Sequence, residues 1–332
     1  MILIKDIETI LLEAGAVKAR ATVATRADAA YASALMDWLD KGWLAGMEYM
    51  RRHLDLRLNP SLLLEGARSV ICVAFNYTPA ELRAPELPQI ASYAYGLDYH
   101  DVIRQRLQKA VRELENAYGG DYRIFIDSAP TLDRMWAEKS GLGYRCDNGL
   151  ITVGEFGTRV FLAEIITTLP PEVITDKDAP DEKPRISYGR KIGESIDREL
   201  IAGGCTHCGA CRKACPTKAL ADDGTVDARR CLSYLTIEHK GEWDGEGREA
   251  MDTSWGRRTL FGCDLCQIVC PLNTNSPATD ISEFQPIPGI MTMTAAEAAA
   301  MTQEEFSRVF KGSPIKRSKL AGLKRNADNI IR

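Results

Sequence analysis

Long apolar runs are missing from this 332-residue chain. No stretch reaches the roughly 18 apolar residues that a membrane-spanning helix needs, so the expectation is no membrane partner. The first residues, MILIKDIETILLEAGAVKAR, break their apolar positions with Lys5, Asp6 and Glu8. They hold neither the apolar core nor the small-residue cleavage site of a secretory signal. There is no twin-arginine leader, and the expected location is the cytoplasm. Charge of one sign is also lacking. The net charge is −4 and the pI about 5.8, so the bulk charge does not call for nucleic acid, although a local patch remains free to bind it. Internal repeats are absent, apart from two groups of cysteines.

Hydrophobic residues make up 45% and charged residues 27%, the mix of an ordinary globular protein. A chain of this length buries a large core without covalent staples and suggests two domains with a small appendage. Residues 1–68 read as helical, with broken helical periodicity over 28–44 and 47–56 and punctuation at Asn59-Pro60. Residues 69–77 are β-branched and aromatic, the mark of a buried strand. Residues 101–118 read as an amphipathic helix stopped by Gly119-Gly120. A short strand at 122–127, a helix at 132–140 and a buried strand at 159–168 (RVFLAEIITT) follow. This alternation argues for an α/β layer domain. Four stretches result: an α/β domain over 1–170, a Pro- and Asp-rich linker over 171–199, a cysteine-rich domain over 200–280 and a helical tail over 281–332. Residues 240–256 are polar and Gly-rich and read as an exposed loop.

Eight of the ten cysteines fall between Cys205 and Cys270. Such clustering in a reducing compartment points to metal rather than disulfides. Cys72 and Cys146 stand alone, and Cys72 reads as a small buried hydrophobe. The first run is Cys205-x-x-Cys208-x-x-Cys211-x-x-x-Cys215-Pro216. Three thiolates two residues apart wrap one iron–sulfur cubane, and the fourth, before proline, reaches the other cluster. The second group is Cys231, Cys263-x-x-Cys266 and Cys270-Pro271. By the same crossing, cluster 1 takes Cys205, Cys208, Cys211 and Cys270. Cluster 2 takes Cys215, Cys231, Cys263 and Cys266. Zinc is the rival, but zinc sites pair two C-x-x-C units and do not use this run. Two adjacent [4Fe–4S] clusters make the segment a one-electron wire.

The order of motifs resembles the epoxyqueuosine reductase family. The matching stretches are GMEYM (46–50), RLNP (57–60), YAYGLDYHDVIRQRL (93–107), DSAPTLDRMWAEKSGLG (127–143), the cysteine run, CLSYLTIEHKG (231–241), FGCDLCQIVCP (261–271) and FKGSPIKRSKLAGLKRNA (310–327). The resemblance implies a nitroreductase-like N-terminal domain holding base-off cobalamin beside a bacterial two-[4Fe–4S] ferredoxin domain. It implies reduction of the tRNA wobble epoxyqueuosine to queuosine by a monomer, with electrons from a low-potential donor. Removing the epoxide oxygen needs two electrons and a proton, and the corrin accumulates electrons that clusters deliver singly.

Asp133 matches the proton-donating aspartate of that family; a carboxylate at a helix start that merely offsets the helix dipole is the bland alternative. Pairing with Arg134 would depress its pKa, so a dry pocket is needed to raise it. Arg57, Tyr99, His100, Ser233 and His239, together with Asp133, are the expected cobalamin contacts. In the tail, Arg308, Lys311, Lys316, Arg317, Lys319, Lys324 and Arg325 run without an acidic residue between them. Of this basic stripe, Lys316, Arg317, Lys319, Lys324 and Arg325 are the expected tRNA contacts. The chain departs from the family at Tyr144-Arg145-Cys146-Asp147-Asn148 and at Leu272, and its tail stops where a helical repeat domain usually continues, so that repeat is expected to be truncated. The alternatives are another corrinoid iron–sulfur reductase, similar to reductive dehalogenases, and a plain electron carrier.

Overall fold

The computed structural model describes residues 4–127, 129–171 and 204–332. Apart from Pro171, the expected linker at 171–199 lies outside them. The described residues have mixed α and β structure. A four-stranded sheet runs β1 (Lys18–Val23), β2 (Ser69–Asn76), β7 (Val160–Thr167), β4 (Tyr122–Phe125). Every neighbouring pair is antiparallel, and β2 meets β7 from Ser69↔Thr167 to Asn76↔Val160. Both central strands are largely apolar because helices cover both faces of the sheet, so an alternating pattern would bury polar groups. Before β7 the chain makes a small antiparallel pair, β5 (Tyr144–Arg145) with β6 (Ile151–Thr152).

Successive side chains on a strand point to opposite faces, and β2 divides accordingly. Ile71, Val73 and Phe75 pack against Leu11 of α1 (Ile4–Glu13) and Ile103, Leu107 and Leu114 of α4 (Tyr99–Tyr118). Val70, Cys72 and Ala74 face Tyr31 of α2 (Ala29–Asp40), Leu58 of α3 (Leu54–Leu58), and Met135 and Trp136 of α5 (Asp133–Lys139). Cys72 is 1% exposed, the packed thiol expected of it.

The sheet corrects one expectation. Residues 1–68 are not all helical: KARATV forms β1, stabilised by pairing with β2 rather than by its own hydrophobicity. The expected mixture of helices and strands is present, with every pairing in this sheet antiparallel.

The cysteine-rich segment is mostly loops joined by the short helices α6 (Ala210–Ala214), α7 (Leu232–Ile237), α8 (Gly245–Met251) and α9 (Leu265–Ile268). Residues 240–256 are not simply a loop. They contain α8, and Trp243, Ala250 and Met251 pack against Leu232 and Leu235. The polar, Gly-rich composition hid three apolar residues that bury one side of a short helix.

This segment is stitched to the rest. Strand β3 (Gln89–Ile90) pairs in parallel with β8 (Thr259–Phe261). The buried Asp264 carboxylate accepts from Ser92 N at 2.7 Å and Ser92 Oγ at 2.6 Å. Arg106 holds Glu283 with two bonds of 3.0 and 2.9 Å. A Cβ at Gly96 would meet Glu283 O at 2.5 Å, so glycine is required for this approach. The C-terminal part has α10 (Ala295–Ala300), α11 (Gln303–Val309) and α12 (Lys319–Ile331). Capping boxes open the first two, Thr294 with Glu297 and Thr302 with Glu305. Helix α12 is bound to the cysteine-rich segment by Asn326 Nδ2, which donates to Thr236 O and Leu260 O at 2.9 Å each.

Candidate active site and cluster sites

The cysteines fall into two sets in space. Cys205, Cys208, Cys211 and Cys270 line one cavity, which closes with Cys146, Asp147, Asn148 and Leu272. Residues far apart in sequence meet there because Cys270 returns beside α6. In the second set, the charges of Cys215 and Cys231 are both felt at Cys263, and those of Cys263 and Cys231 at Cys266. Cys211 lies within α6 and Cys215 caps its C-terminal end, one in each set. Thiolates in fours are the donors that iron–sulfur cubanes take, so the residues present fit such clusters. The departing loop 144–148 adds a fifth cysteine to the first cavity: Cys146 is buried there. His207 Nδ1 lies 2.6 Å from Asp147 Oδ1.

A second place for chemistry lies where β4 and the start of α5 come together. Asp127, just beyond β4, sits in the left-handed region at φ 49°, a strained conformation for a non-glycine residue. Its carboxylate accepts from Tyr99 Oη at 2.5 Å. Asp133 opens α5, and Thr131 Oγ1 donates to its Oδ1 at 2.5 Å. Arg57 Nη1 donates to Thr131 O at 3.1 Å. Arg57 is otherwise buried, and its Nε finds no partner among the described residues.

Asp133 is half-exposed to solvent and Arg134 exposed, yet protein surrounds both closely enough that desolvation is the largest influence on each. Exposed groups so enclosed line a hollow, not a convex surface. Desolvation, then the charge of Asp127, raises the Asp133 pKa to about 6, against the opposing Thr131 hydrogen bond and Arg134 charge. No ion pair joins Asp133 to Arg134 among the described residues, so the expected depression by Arg134 loses to the enclosed surroundings. Arg134 in turn is felt at Cys231, and Cys266 at Arg134. Residues beside the acid therefore lie within charge range of the second cysteine set.

The other expected contacts scatter around it. Tyr99 stacks on His100 with centroids 4.0 Å apart, while His100 Nδ1 pairs with Asp98 at 2.8 Å. Ser233 lies in the first turn of α7. The His239 Nε2 meets Glu242 O at 2.9 Å. No hydrogen bond ties His100, Ser233 or His239 to Asp133 among the described residues. The enclosed acid, the spare buried Arg57 Nε and the open hollow beside a set of thiols fit an electron-accumulating corrin. In the tail, Lys316, Arg317 and Lys319 are exposed and Lys324 half-buried. The stripe is less purely basic in space than in sequence, because Glu238 pairs with Arg317 at 2.8 and 3.0 Å. Arg325, the last of the expected tRNA contacts, is held by the fold. It donates to Leu235 O, His239 O and Gly241 O and lies 4.3 Å from the Trp243 ring. Burial lowers its pKa to about 10, and its guanidinium serves the fold.

One carboxyl escaped the sequence reading. Glu164, on β7, is 0% exposed. Its signal was a single charge inside the otherwise uncharged strand VFLAEIIT.

Comparison with known proteins fits this arrangement. The family described as "Epoxyqueuosine reductase QueG, DUF1730" matches residues 57–128, and "4Fe-4S double cluster binding domain" matches residues 204–273. An epoxyqueuosine reductase of Cellulophaga algicola is 38% identical over 297 residues, covering 89% of this chain and 87% of its own. One from Escherichia coli is 38% identical over 290 residues, covering 85% of this chain and 69% of its own. A crystal structure of epoxyqueuosine reductase with a tRNA-Tyr epoxyqueuosine-modified stem loop superposes with a TM-score of 0.79 at 27% identity, covering 98% of this chain and 80% of that one.

Proposed function

The chain belongs to the epoxyqueuosine reductase family, and from that membership we propose that it reduces the epoxide of epoxyqueuosine in tRNA to the alkene of queuosine. It is an oxidoreductase acting on tRNA, with a 4Fe–4S double-cluster domain. The single observation that carries the site is the enclosed Asp133, its pKa raised to about 6, at a hollow that faces thiols.

Cys205, Cys208, Cys211 and Cys270 hold one cluster in this reading, and Cys215, Cys231, Cys263 and Cys266 the other. Arg57, Tyr99, His100, Asp133, Ser233 and His239 would hold cobalamin in the hollow. When bound, that group supplies a two-electron reductant that can be charged one electron at a time. The chain's residues do the rest. Asp133 holds its proton to higher pH than an ordinary carboxyl because the surrounding protein disfavours its charge, and it gives that proton to the epoxide oxygen. Thr131 and Arg57 fix the loop that carries it. Asp127, braced by Tyr99, adds the negative charge that helps Asp133 stay protonated. The exposed Lys316, Arg317 and Lys319 and the half-buried Lys324 offer a cationic face for the tRNA backbone, and the protein works as a monomer in the cytoplasm with a low-potential donor.

The test is anaerobic single turnover on tRNA bearing epoxyqueuosine, with nucleosides read by mass spectrometry. Loss of one oxygen is expected for the reconstituted protein, with Asp133→Asn slower by at least about 100-fold. No conversion by protein that holds both clusters and cobalamin would refute the reading. Dehalogenation in its place would favour the related corrinoid reductases.

A further inference from the structure

Deoxygenating an epoxide breaks two C–O bonds and forms one C=C bond. It consumes two electrons, and with a single proton the oxygen departs as hydroxide. Departure as water takes two protons. Asp133 carries one. The other needs a second source within reach of Asp133.

Glu164 lies at the middle of β7, opposite Cys72 on β2 and Phe125 on β4. It is 0% exposed, and neither carboxyl oxygen has a hydrogen-bond partner among the described residues. An ionised carboxylate in that position would be an unpaired buried charge, one of the costliest arrangements in a protein; such a group takes up a proton instead. Facing it, from α5 and the loop before it come the carboxyl of Asp133 and the hydroxyl of Thr131; from beyond β4 comes Asp127; from β2 comes the Cys72 thiol. None of these is a cation. Burial first, then the charges of Asp133 and Asp127, push the Glu164 pKa well up. Asp133 thus has two neighbours of opposite kind: the open hollow on one side and a dry carboxyl on the other.

We propose that Glu164 is the proton reserve of the active site, handing its proton to Asp133 once Asp133 has protonated the substrate oxygen. This rests on the epoxide-reducing role proposed above. Asp133 gives its proton to the oxygen as the C–O bond opens. The Glu164 proton moves to the resulting Asp133 carboxylate, and from there to the departing hydroxide, which leaves as water. The two electrons come through the reductase's own electron donor. Both carboxyls then reload through Asp133 from the hollow. Glu164 touches no substrate, so it is a positioning and proton-holding residue, not a catalytic one.

Two measurements test it. The first needs no activity: infrared difference spectra of the intact reconstituted protein between pH 5 and 9. A protonated carboxylic acid C=O band should persist at pH 8 in the wild type and vanish in Glu164→Gln. Its absence from the wild type would overturn the proposal, and this arm stands even where the glutamine variant folds poorly. The second is single-turnover epoxide reduction as a function of pH. Glu164→Gln should run about 10-fold slower or more and lose rate at lower pH than the wild type, with Glu164→Asp partly restoring both. Wild-type rate and pH profile in a folded Glu164→Gln would equally overturn it. A wild type that shows the band but converts no epoxide would refute the functional reading and leave the proton on Glu164 established.

Discussion

Asp133 joins two properties that rarely coincide at one carboxyl, access to a ligand and a strong preference for its proton. The sign of its pH effect on stability follows. Its folded-state pKa of about 6 lies above the ordinary carboxylate value, so the folded protein binds this proton more tightly than the unfolded chain does. That stabilisation is present in full below about pH 4 and is lost as pH rises to about 6. Asp133→Asn lacks the titration. In denaturant unfolding it should gain stability relative to wild type across that window and keep the gain at pH 8; parallel curves at all pH values would rule out a proton held tightly by enclosure. The place of Asp133 at a helix start was legible in the sequence because the forces that set it are local. Glu164 was not, because a charge inside a strand reads as an oddity until the partners across the sheet are known. Arg325 is the reverse case: its charge is plain in the sequence, while the three carbonyls that hold it come from residues 235–241.

At the scale of elements, legibility followed how local the forces were. Strands β2 and β7 announce themselves by composition, and α4 by its periodicity and the glycines that stop it. Strand β1 does not, since KARATV gains its structure from β2, and α8 does not, since its few apolar residues matter only against α7. That helix gives a direct check. Met251 is 0% exposed among Leu232, Leu235 and Trp243, so Met251→Ala should cost about 2–5 kcal/mol in urea unfolding. A change below about 0.5 kcal/mol would mean that residues 240–256 are the loose loop their composition suggests.

Over the whole molecule, two surfaces and two metal sites can be separated by experiment. Cys270→Ala should lower the iron content by up to half and remove one cluster's paramagnetic signal, while Cys72→Ala, remote from both thiol sets, should change neither. Lys316→Glu with Lys319→Glu should weaken tRNA binding and lessen the slope of log affinity against log salt by roughly one for each lysine. An unchanged slope would move the RNA-binding face elsewhere. The mixed α and β structure and the 4Fe–4S double-cluster segment were legible from the strand and helix patterns and the cysteine spacing, because both are written along the chain. Their interlocking was not, since it depends on contacts such as Gly96 against Glu283 and Ser92 against Asp264. The pairing of β3 with β8 carries this furthest. A ribosome extrudes β3 long before β8, so β3 waits without its partner strand until residues 259–261 have emerged. The seam between the two parts therefore closes late in synthesis, after every strand of the four-stranded sheet has already left the ribosome.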